Sequence, residues 1–371
     1  MRDQMTPMER SIALNKGEIV DRLPCNPNIA NGVARIYGCK ISEFNRSGKA
    51  IAEAQIASYR KFGMDGVRVF TDLYAWAETM GAKVLYPEDN TADLLKPAIA
   101  DVKDINKIKI GNPYKDGRLP VYIEAMKYLI DAIGKEVPCS GGIVGPFSNA
   151  FFLVGVEKMT KLFFRNPEAV HKLCELSLQT CIEYSKVVIS LGLSITISEP
   201  LASCTIISPK HYEIFCLPYL KRLVEFIHSQ GKMCVLHICG KTEKIWPYIA
   251  DLAEIGVGGF SMDNVVSLRE CKETLGGKLK LMGNVDPSNI MYGGTQKEVR
   301  NAVRNSVSEG YDSPKGYIIM SGCSLPVETP LKNIQAMMDT AREIGYPVKP
   351  DKLKNMLNDC AVNKAKESFK I

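Results

Sequence analysis

Several common sequence signals are missing from this chain of 371 residues. It has no run of about 18 apolar residues, the length that a membrane-spanning helix requires. Its first residues, MRDQMTPMERSIALNKGE, are too polar for a secretory signal peptide. GxGxxG after the first predicted strand and GxxxxGKS/T anywhere, the glycine-rich loops that bind nucleotide phosphates, are also absent. These absences predict a cytoplasmic protein without a membrane span, and they leave a nucleotide-binding function with no supporting motif.

A strong concentration of positive charge is also missing. The net charge is +6, and residues of both signs are mixed along the chain. The mild lysine clusters at 103–108 and 350–370 are more typical of a solvated face than of a nucleic-acid-binding surface. The sequence therefore predicts no nucleic-acid partner.

Histidine is scarce, with four residues, whereas cysteine is abundant, with twelve. The cysteines are scattered and do not show the close spacing of a small disulfide-bonded domain. We therefore expect most of them to be buried free thiols and a few to bind metal. This usage suits a reducing, anaerobic cell.

Short apolar segments alternate with longer segments of helical periodicity. The eight strand candidates are Leu23–Asn26, Val67–Phe70, Ser140–Val144, Ser194–Ser198, Met233–Ile238, Gly258–Met262, Lys280–Gly283 and Tyr317–Met320. They are bounded by Gly, Pro, Asn or Asp, as buried parallel strands often are. Eight strand–helix units predict a closed (β/α)₈ barrel, with an open doubly wound sheet as the alternative.

We predict a single barrel domain over residues 1–371, with an N-terminal helical extension. Residues 82–120 are rich in Pro, Asp and Lys and predict an insertion or a lid. Helices are predicted over 50–62, 156–163, 167–191, 209–230, 244–255, 295–309 and 329–344. Their end signals are Ser208 and Thr329 as N-caps and Gly256, Gly310 and Gly345 after the C-termini.

Polar residues follow most of the predicted strands. In a β/α barrel the active site lies at the C-terminal ends of the strands. The residues at these ends, in chain order, are Asp72, Glu78, Glu199, His237, Cys239, Asp263, Asn284, Asp286 and Cys323. From this set we predict Asp72, Glu78, Glu199 and Asn284 as substrate-binding residues.

His237, Cys239 and Cys323 have the chemistry of a metal site. His237 and Cys239 lie two residues apart at a strand end, so their side chains point to one side. Cys323 follows the eighth strand, three strands away around the barrel. One imidazole and two thiolates suit Zn²⁺, and three protein ligands leave a fourth position open, as in catalytic zinc sites. An isolated HxC is more often core packing, but the shared location at the strand ends favours a zinc site.

Two carboxylates near this group have alternative roles. Asp263 is either a fourth zinc ligand in the resting state or a structural carboxylate hydrogen-bonded at the barrel mouth. Glu199 is either structural or the acceptor of the ring N–H of His237, which it would then orient. His171, His211 and His228 fall on predicted helices, where we expect packing or surface roles.

Several segments resemble one known family. HICG at 237–240 and GCSLPVETP at 322–330 are similar to the zinc motif of the methylcobamide:thiol methyltransferases, a branch of the uroporphyrinogen decarboxylase superfamily. TPMERSIALNKGEIVDR at 6–22, GPFSNA at 145–150 and GNVDP at 283–287 extend the resemblance over nearly the whole chain. It implies a uroporphyrinogen decarboxylase-like (β/α)₈ barrel that binds zinc and uses a corrinoid.

The chain departs from two patterns within that superfamily. The decarboxylases carry Arg-Gln-Ala-Gly-Arg-Tyr after the first strand to bind carboxylates, whereas residues 25–32 here read CNPNIANG. Asp72 does resemble the central aspartate of the decarboxylases. The coenzyme M enzymes usually have EAEAMG where residues 76–81 read WAETMG, which keeps only Glu78, and glutamate near position 263. Coenzyme M, another thiol and tetrahydrofolate therefore all stay open as acceptors.

The activity implied by the resemblance is zinc-dependent methyl transfer between a corrinoid-binding protein and a small molecule. Zn²⁺ would bind the sulfur of the acceptor and stabilise its thiolate at neutral pH. The corrinoid, as methylcobalamin, would be carried by the partner protein. The alternatives are a corrinoid-dependent demethylase of a small methylated substrate, a uroporphyrinogen decarboxylase, and a zinc-binding barrel without activity.

Overall fold

The computed structural model describes residues 3–358. Both ends of the predicted domain, residues 1–2 and 359–371, lie outside the described residues. The C-terminal end includes Cys360 and residues 359–370 of the second lysine cluster.

Seven parallel strands form the central sheet, in the order β1-β4-β5-β6-β7-β8-β9. Their bounds are Val67–Val69 (β1), Cys139–Val144 (β4), Ser194–Ser198 (β5), Cys234–Ile238 (β6), Val257–Met262 (β7), Lys280–Val285 (β8) and Tyr317–Ser321 (β9). These are seven of the eight predicted strands, each within a few residues of its expected bounds. Helices between successive strands cover the outside of the sheet, as parallel strands require.

The eighth strand of the barrel is reduced to a single bridge, and we call this segment, residues 23–26, the seam. Cys25 forms an isolated parallel bridge with Ile319 of β9. On its other side the Cys25 carbonyl accepts a hydrogen bond from the N–H of Asp65, just before β1, at 3.1 Å. The sequence predicted a regular strand here, which is wrong because Pro24 and Pro27 have no N–H to donate to a ladder. The seam nevertheless closes the sheet, and the predicted (β/α)₈ barrel is confirmed.

Fifteen α-helices are found among residues 3–358. They are Pro7–Asn15 (α1), Gly32–Tyr37 (α2), Ile41–Phe44 (α3), Gly48–Phe62 (α4), Ala75–Thr79 (α5), Leu119–Ile133 (α6), Pro146–Val154 (α7), Val156–Arg165 (α8), Pro167–Ser190 (α9), Pro209–His211 (α10), Leu217–Ser229 (α11), Trp246–Glu254 (α12), Leu268–Leu275 (α13), Gln296–Gly310 (α14) and Leu331–Ile344 (α15). Short 3₁₀ segments lie at Val102–Lys107, Pro200–Ala202 and Glu243–Ile245. None of the helices in the described part of the chain has the length and apolar character needed to cross a membrane.

Three predictions about helices are wrong in detail. The helix predicted over 209–230 is α10, a π-helical turn at Tyr212–Cys216, and α11, because Pro218 cannot donate the hydrogen bond that a continuous α-helix needs there. Thr329 does not cap α15: its hydroxyl donates to the carbonyl of Pro326 at 2.7 Å. Gly310 is the last residue of α14 instead of following it.

The region at 82–120 contains a hairpin that the sequence did not predict. β2 (Lys83–Leu85) and β3 (Asp93–Lys96) pair antiparallel as a separate two-stranded sheet. Both strands are mostly exposed, so their residues show no alternation between apolar and polar types that would reveal them. The turn of this hairpin, residues 89–92, reaches the open end of the barrel described below.

Candidate metal centre and the adjoining cavity

His237, Cys239 and Cys323 lie together at the C-terminal end of the barrel. The Nε2 atom of His237 is 3.2 Å from the Sγ of Cys239 and 4.0 Å from the Sγ of Cys323. The two sulfurs are 3.6 Å apart, far longer than the roughly 2.05 Å of a disulfide bond. Among residues 3–358, these three form the one group of His, Cys, Asp or Glu side chains that could hold a metal ion.

The spacing of the three donor atoms fits tetrahedral zinc. With Zn–S bonds of about 2.3 Å and a Zn–N bond of about 2.05 Å, tetrahedral angles place two sulfurs about 3.8 Å apart and each sulfur about 3.6 Å from the nitrogen. The observed distances of 3.6, 3.2 and 4.0 Å lie close to these values. The three atoms can therefore occupy three vertices of a tetrahedron without a rearrangement of the backbone.

Ser261 on β7 orients the imidazole of His237. The Nδ1 atom of His237 lies 3.1 Å from both the carbonyl oxygen and the hydroxyl of Ser261. Because a carbonyl oxygen only accepts, Nδ1 carries the proton and Nε2 keeps its lone pair toward the two cysteines. Of the two alternatives for Glu199, the orienting one is wrong, since Ser261 accepts the ring N–H of His237 and Glu199 accepts from Phe147 and Ser148 instead.

Two glycines allow the cysteine-bearing loops to pack closely. Gly240 follows Cys239 with φ +74°, and a Cβ there would approach the Thr205 hydroxyl to 2.5 Å. Gly322 precedes Cys323, and a Cβ there would lie 2.4 Å from the backbone nitrogen of Asn264. A larger residue at either position would have to displace a loop that carries one of the two cysteines or a loop that packs against it.

Asp263 fixes the loop after β6. One carboxylate oxygen accepts a hydrogen bond from the N–H of Gly240 at 2.7 Å, and the other accepts from the N–H of Val265 at 3.2 Å. Asp263 is not a member of the three-residue group in the structure. The contacts match the structural alternative, and the role of Asp263 as a fourth ligand stays a prediction.

The two thiols shift each other's pKa in opposite directions. A hydrogen bond from Cys239 lowers the pKa of the Cys323 thiol, and the same interaction raises the pKa of Cys239. The lowered pKa favours the thiolate of Cys323, the form in which cysteine binds metal. Of the other described cysteines, Cys39 and Cys204 are partly exposed and the rest are buried, as expected for most of them.

A cavity of about 710 Å³ opens beside the three donor atoms. His237, Cys239 and Cys323 line one part of it, and Asp72 lines another. The 324–328 loop and the turn of the β2–β3 hairpin form its rim. Its volume falls within the range typical of sites for small molecules.

Asp72 and Glu78 share one buried arginine. Arg118 donates to both oxygens of Asp72 at 2.6 and 2.9 Å, and its Nε donates to Glu78 at 2.7 Å. Glu78 also accepts a short hydrogen bond from Tyr86. Asp72 therefore lines the cavity as a carboxylate whose two oxygens both accept hydrogen bonds from Arg118. Glu78 is not among the residues that line the cavity.

Glu199 and Asn284 also lie outside the cavity lining. Glu199 is fully buried, and its oxygens accept hydrogen bonds from the N–H groups of Phe147 and Ser148 at the start of α7. Burial raises the pKa of Glu199 to about 7. The side-chain amide of Asn284 donates to the carbonyls of Asp263 and Val266 and so braces the loop after β7.

The sequence interpretation missed four residues at this end of the barrel: Asn28, Arg68, Arg118 and Ser261. Asn28 and Arg68 line the cavity, and Arg118 and Ser261 position residues that do. Arg68 had a visible signal, because it interrupts an otherwise apolar strand, Val-Arg-Val-Phe. No sequence signal pointed to Arg118, because it lies in a loop forty residues from its partner Glu78.

Comparison with known proteins identifies the family. The model of the uroporphyrinogen decarboxylase (URO-D) family matches residues 6–344. The chain belongs to this family. The resemblance to its methyltransferases is also confirmed by individual relatives. The methylated-thiol–coenzyme M methyltransferase of Methanosarcina mazei is 28% identical over 354 residues, which cover 94% of this chain and 92% of that protein.

Two further similarities cover nearly as much of the chain. The methylcobamide:CoM methyltransferase of Methanosarcina acetivorans is 28% identical over 348 residues, or 92% of this chain and 99% of that protein. A solved structure of a methyltransferase from Methanosarcina mazei superposes with a TM-score of 0.81 at 25% identity, covering 92% of this chain and 99% of that one.

Proposed function

We propose that this URO-D family member is a zinc-dependent enzyme that transfers a methyl group from a methyl-corrinoid protein to a small thiol. The methyltransferase class itself is confirmed by the relatives. The observation that carries the zinc proposal is the spacing of one imidazole nitrogen and two sulfurs at three vertices of a tetrahedron. The fourth vertex is left for the substrate, as in catalytic zinc sites.

The residues of the chain divide the work between holding and positioning. His237, Cys239 and Cys323 would hold the ion, while Ser261 fixes the imidazole and Asp263 fixes the loop that carries Cys239. A bound Zn²⁺ would supply positive charge that stabilises the thiolate of the acceptor at neutral pH. The cavity would keep the acceptor beside the donor atoms, so that its sulfur is placed for attack.

The proposed reaction needs only two reactants, the acceptor thiol and the methyl-corrinoid. The acceptor thiol gives its proton to solvent, and its sulfur forms a bond to the methyl carbon. The carbon–cobalt bond of the methyl-corrinoid breaks, and its electron pair stays on cobalt. The corrinoid belongs to the partner protein, as the name methylcobamide:CoM methyltransferase suggests for the relative from Methanosarcina acetivorans.

The structure offers less support for the other candidates. In a decarboxylase, Asp72 would be needed at the substrate, but here both its oxygens accept hydrogen bonds from Arg118. Transfer to tetrahydrofolate would not need a thiophilic metal with two sulfur ligands. A demethylase would run the same chemistry in reverse, with the same residues, and differs only in the methylated compound.

Zinc content and methyl transfer test the proposal together. The wild type should hold about one zinc per chain by elemental analysis, and Cys239→Ala and Cys323→Ala should each lose most of it with unchanged circular dichroism. Cys204→Ala, which removes another partly exposed cysteine, is the matched control and should keep the metal. Full zinc in both variants would refute the metal site.

The activity assay uses methylcobalamin, free and bound to a corrinoid protein, with 2-mercaptoethanesulfonate (coenzyme M) as the first acceptor. We expect methylation of the thiol by the wild type, and at least a hundredfold slower transfer by the two zinc-site variants. Release of carbon dioxide from uroporphyrinogen, undiminished in Cys239→Ala, would instead establish the decarboxylase alternative. Zinc binding without transfer to any thiol or to tetrahydrofolate would leave a barrel without this activity.

A further inference from the structure

The β2–β3 hairpin is attached to the barrel with little apolar contact. Among residues 83–96 only the small side chain of Ala92 is buried, and all the others are partly or fully exposed. The exposed ones include the large apolar side chains of Leu85 and Leu95. A segment that buries so little apolar surface opens locally with a small input of free energy. The hairpin is therefore held in place mainly by polar contacts.

Tyr86, in the loop of the hairpin, makes the most extensive of these contacts. The guanidinium groups of Arg46 and Arg118 both lie over its ring, each 4.7 Å from the ring centre. Its hydroxyl donates a hydrogen bond to Glu78. Contacts between a cation and an aromatic ring are favourable but weak where the cation is solvated, as it is at the exposed Arg46. Tyr86 thus holds the hairpin to the barrel by contacts that water can replace.

Three further contacts between the hairpin and the barrel are also polar. Glu88 forms an ion pair with Lys40, in which both side chains are more than half exposed. The carbonyl of Glu88 accepts a hydrogen bond from the N–H of Ser42 at 3.1 Å. The side chain of Asn31 donates to the hydroxyl of Thr91 at 3.3 Å. Exposed ion pairs and hydrogen bonds add little to stability, because water competes for both partners.

The two ends of the hairpin lie side by side, as a hinge requires. Gly81, just before β2, has φ +110°, a conformation that favours glycine. A Cβ at Gly81 would lie 4.0 Å from the Cβ of Ala98, just after β3. Because β2 and β3 pair with each other in their own sheet, the hairpin can turn about this point as one unit.

The turn of the hairpin lies at the mouth of the 710 Å³ cavity. Residues 89–92 line this cavity, as do Cys239 and Cys323. The 324–328 loop on the same rim is held more firmly, because Leu325 is buried and its N–H donates to the carbonyl of Asn28 at 2.8 Å. The hairpin is therefore the part of the rim that gives way more easily.

The two proposed substrates place different demands on this rim. A small thiol fits within the cavity as it stands. A corrin ring is a flat macrocycle much wider than such a thiol, and it has to bring its methyl group within bonding distance of the sulfur. The rim must therefore widen for the corrinoid, whereas the thiol needs no movement.

We propose that the β2–β3 hairpin is a gate at the mouth of the cavity, latched by Tyr86, that is closed around the small acceptor and opens to admit the corrinoid. The inference rests on the proposed function and adds a size-selective step between the two substrates. Tyr86 is a positioning residue, because it does not line the cavity and acts through the place of the turn. Arg118 connects the latch to the cavity wall, since the same guanidinium holds Asp72.

Thiol reagents of two sizes test the gate without turnover. In reduced protein treated with a chelator, iodoacetamide should alkylate Cys239 and Cys323 equally fast in the wild type and in Tyr86→Ala. A maleimide that carries a bulky dye should react about tenfold faster with the variant, because the open gate admits it. Tyr86→Phe, which keeps the ring and loses the hydrogen bond to Glu78, should be intermediate. Tyr128→Ala, which removes an exposed tyrosine on α6, is the control and should match the wild type.

Hydrogen exchange tests the gate in the protein as purified. In the wild type the amides of residues 83–96 should exchange about a hundredfold faster than those of β6, because the hairpin opens locally while the barrel stays folded. Tyr86→Ala should speed exchange further in the hairpin alone. Protection of the hairpin equal to that of β6 in the wild type would by itself overturn the gate, whatever the behaviour of the variants.

Methyl transfer compares the free and the protein-bound corrinoid. Tyr86→Ala should raise kcat/KM for free methylcobalamin about fivefold, because the free cofactor has to wait for the hairpin to open. The rate with the corrinoid protein should be nearly unchanged, since the docked protein displaces the hairpin itself. A parallel change with both forms of the corrinoid would contradict the gate.

The outcomes distinguish the gate from the proposed function. Equal labelling of the wild type, Tyr86→Phe and Tyr86→Ala by the bulky maleimide would overturn the gate and leave the proposed function. An equal rise for iodoacetamide and the maleimide would also overturn the gate, because it indicates a general loosening without size selection. Size-selective labelling that depends on Tyr86, without methyl transfer to any thiol, would keep a gated cavity and overturn the proposed function.

Discussion

The buried carboxyl group of Glu199 gives the protein a pH dependence that can be worked out from the structure. Glu199 is fully buried at the start of α7, and burial raises its pKa from 4.5 to about 7, despite the two backbone N–H groups that favour the charged form. Its titratable neighbours are the thiols of Cys174, Cys181 and Cys216 and the phenol of Tyr212, which are buried and neutral at pH 7.

Glu199 differs in protonation between the folded and the unfolded protein over part of the pH range. Between pH 4.5 and about 7 the folded protein keeps the Glu199 proton while the unfolded chain has lost it. The free energy of unfolding therefore falls as the pH rises through this window. A difference of about 2.5 pKa units corresponds to roughly 3 kcal/mol of lost stability. The protonated group contributes most below pH 4.5 and nothing further is lost well above pH 7.

Urea unfolding at intervals from pH 4.5 to 8, with a chelator present, measures this loss. Glu199→Gln removes the titration, although it also leaves one of the N–H groups of Phe147 and Ser148 without its acceptor at every pH. We expect the wild type to lose about 3 kcal/mol more than this variant across the window. Glu18→Gln, which changes an exposed carboxylate, should follow the wild type. The same pH dependence in the wild type and in Glu199→Gln would refute the reasoning.

Two further predictions concern the loops around the candidate metal centre. Gly322→Ala should lower the free energy of unfolding by about 1–3 kcal/mol and reduce zinc affinity, because the new Cβ would lie 2.4 Å from the backbone nitrogen of Asn264. Gly277→Ala is the control, because a Cβ at that position meets open space. Equal zinc affinity of the two variants would contradict the packing argument. Asp263→Asn should change the zinc X-ray absorption spectrum of the substrate-free protein if the carboxylate is the fourth ligand. An unchanged spectrum would leave Asp263 as the residue that holds Gly240.

That His237, Cys239 and Cys323 lie together could be predicted from the sequence because each follows a predicted strand. The alternation of side chains along a strand puts His237 and Cys239 on one side, and the barrel brings Cys323 to the same end. Ser261 could not be predicted as the partner of His237, because its contact depends on the register between β6 and β7, which no residue pattern specifies.

The fold shows the same division between local and long-range information. Seven strands follow apolar runs bounded by turn residues, whereas the seam looks like a strand in sequence and forms one bridge. The ion pairs of Glu78 and Asp72 were missed because their partner, Arg118, is forty or more residues away and on no predicted element. Carboxylates at strand ends look alike in sequence whether they face a cavity or a buried arginine.

The contacts just beyond the short seam join parts of the chain that are made far apart in time. After the single bridge at Cys25, the chain leaves the sheet, and the N–H of Asn28 donates to the hydroxyl of Ser321, 293 positions later in the chain. The carbonyl of Asn28 accepts from the N–H of Leu325, just beyond Cys323. A segment made early thus contacts one made almost three hundred residues later. Until Ser321 and Leu325 have emerged from the ribosome, Asn28 lacks the two partners that hold its backbone. The same delay applies to His237 and Cys239, which meet Cys323 only after it has been made, so the three donor residues and the neighbouring wall of the cavity are completed together.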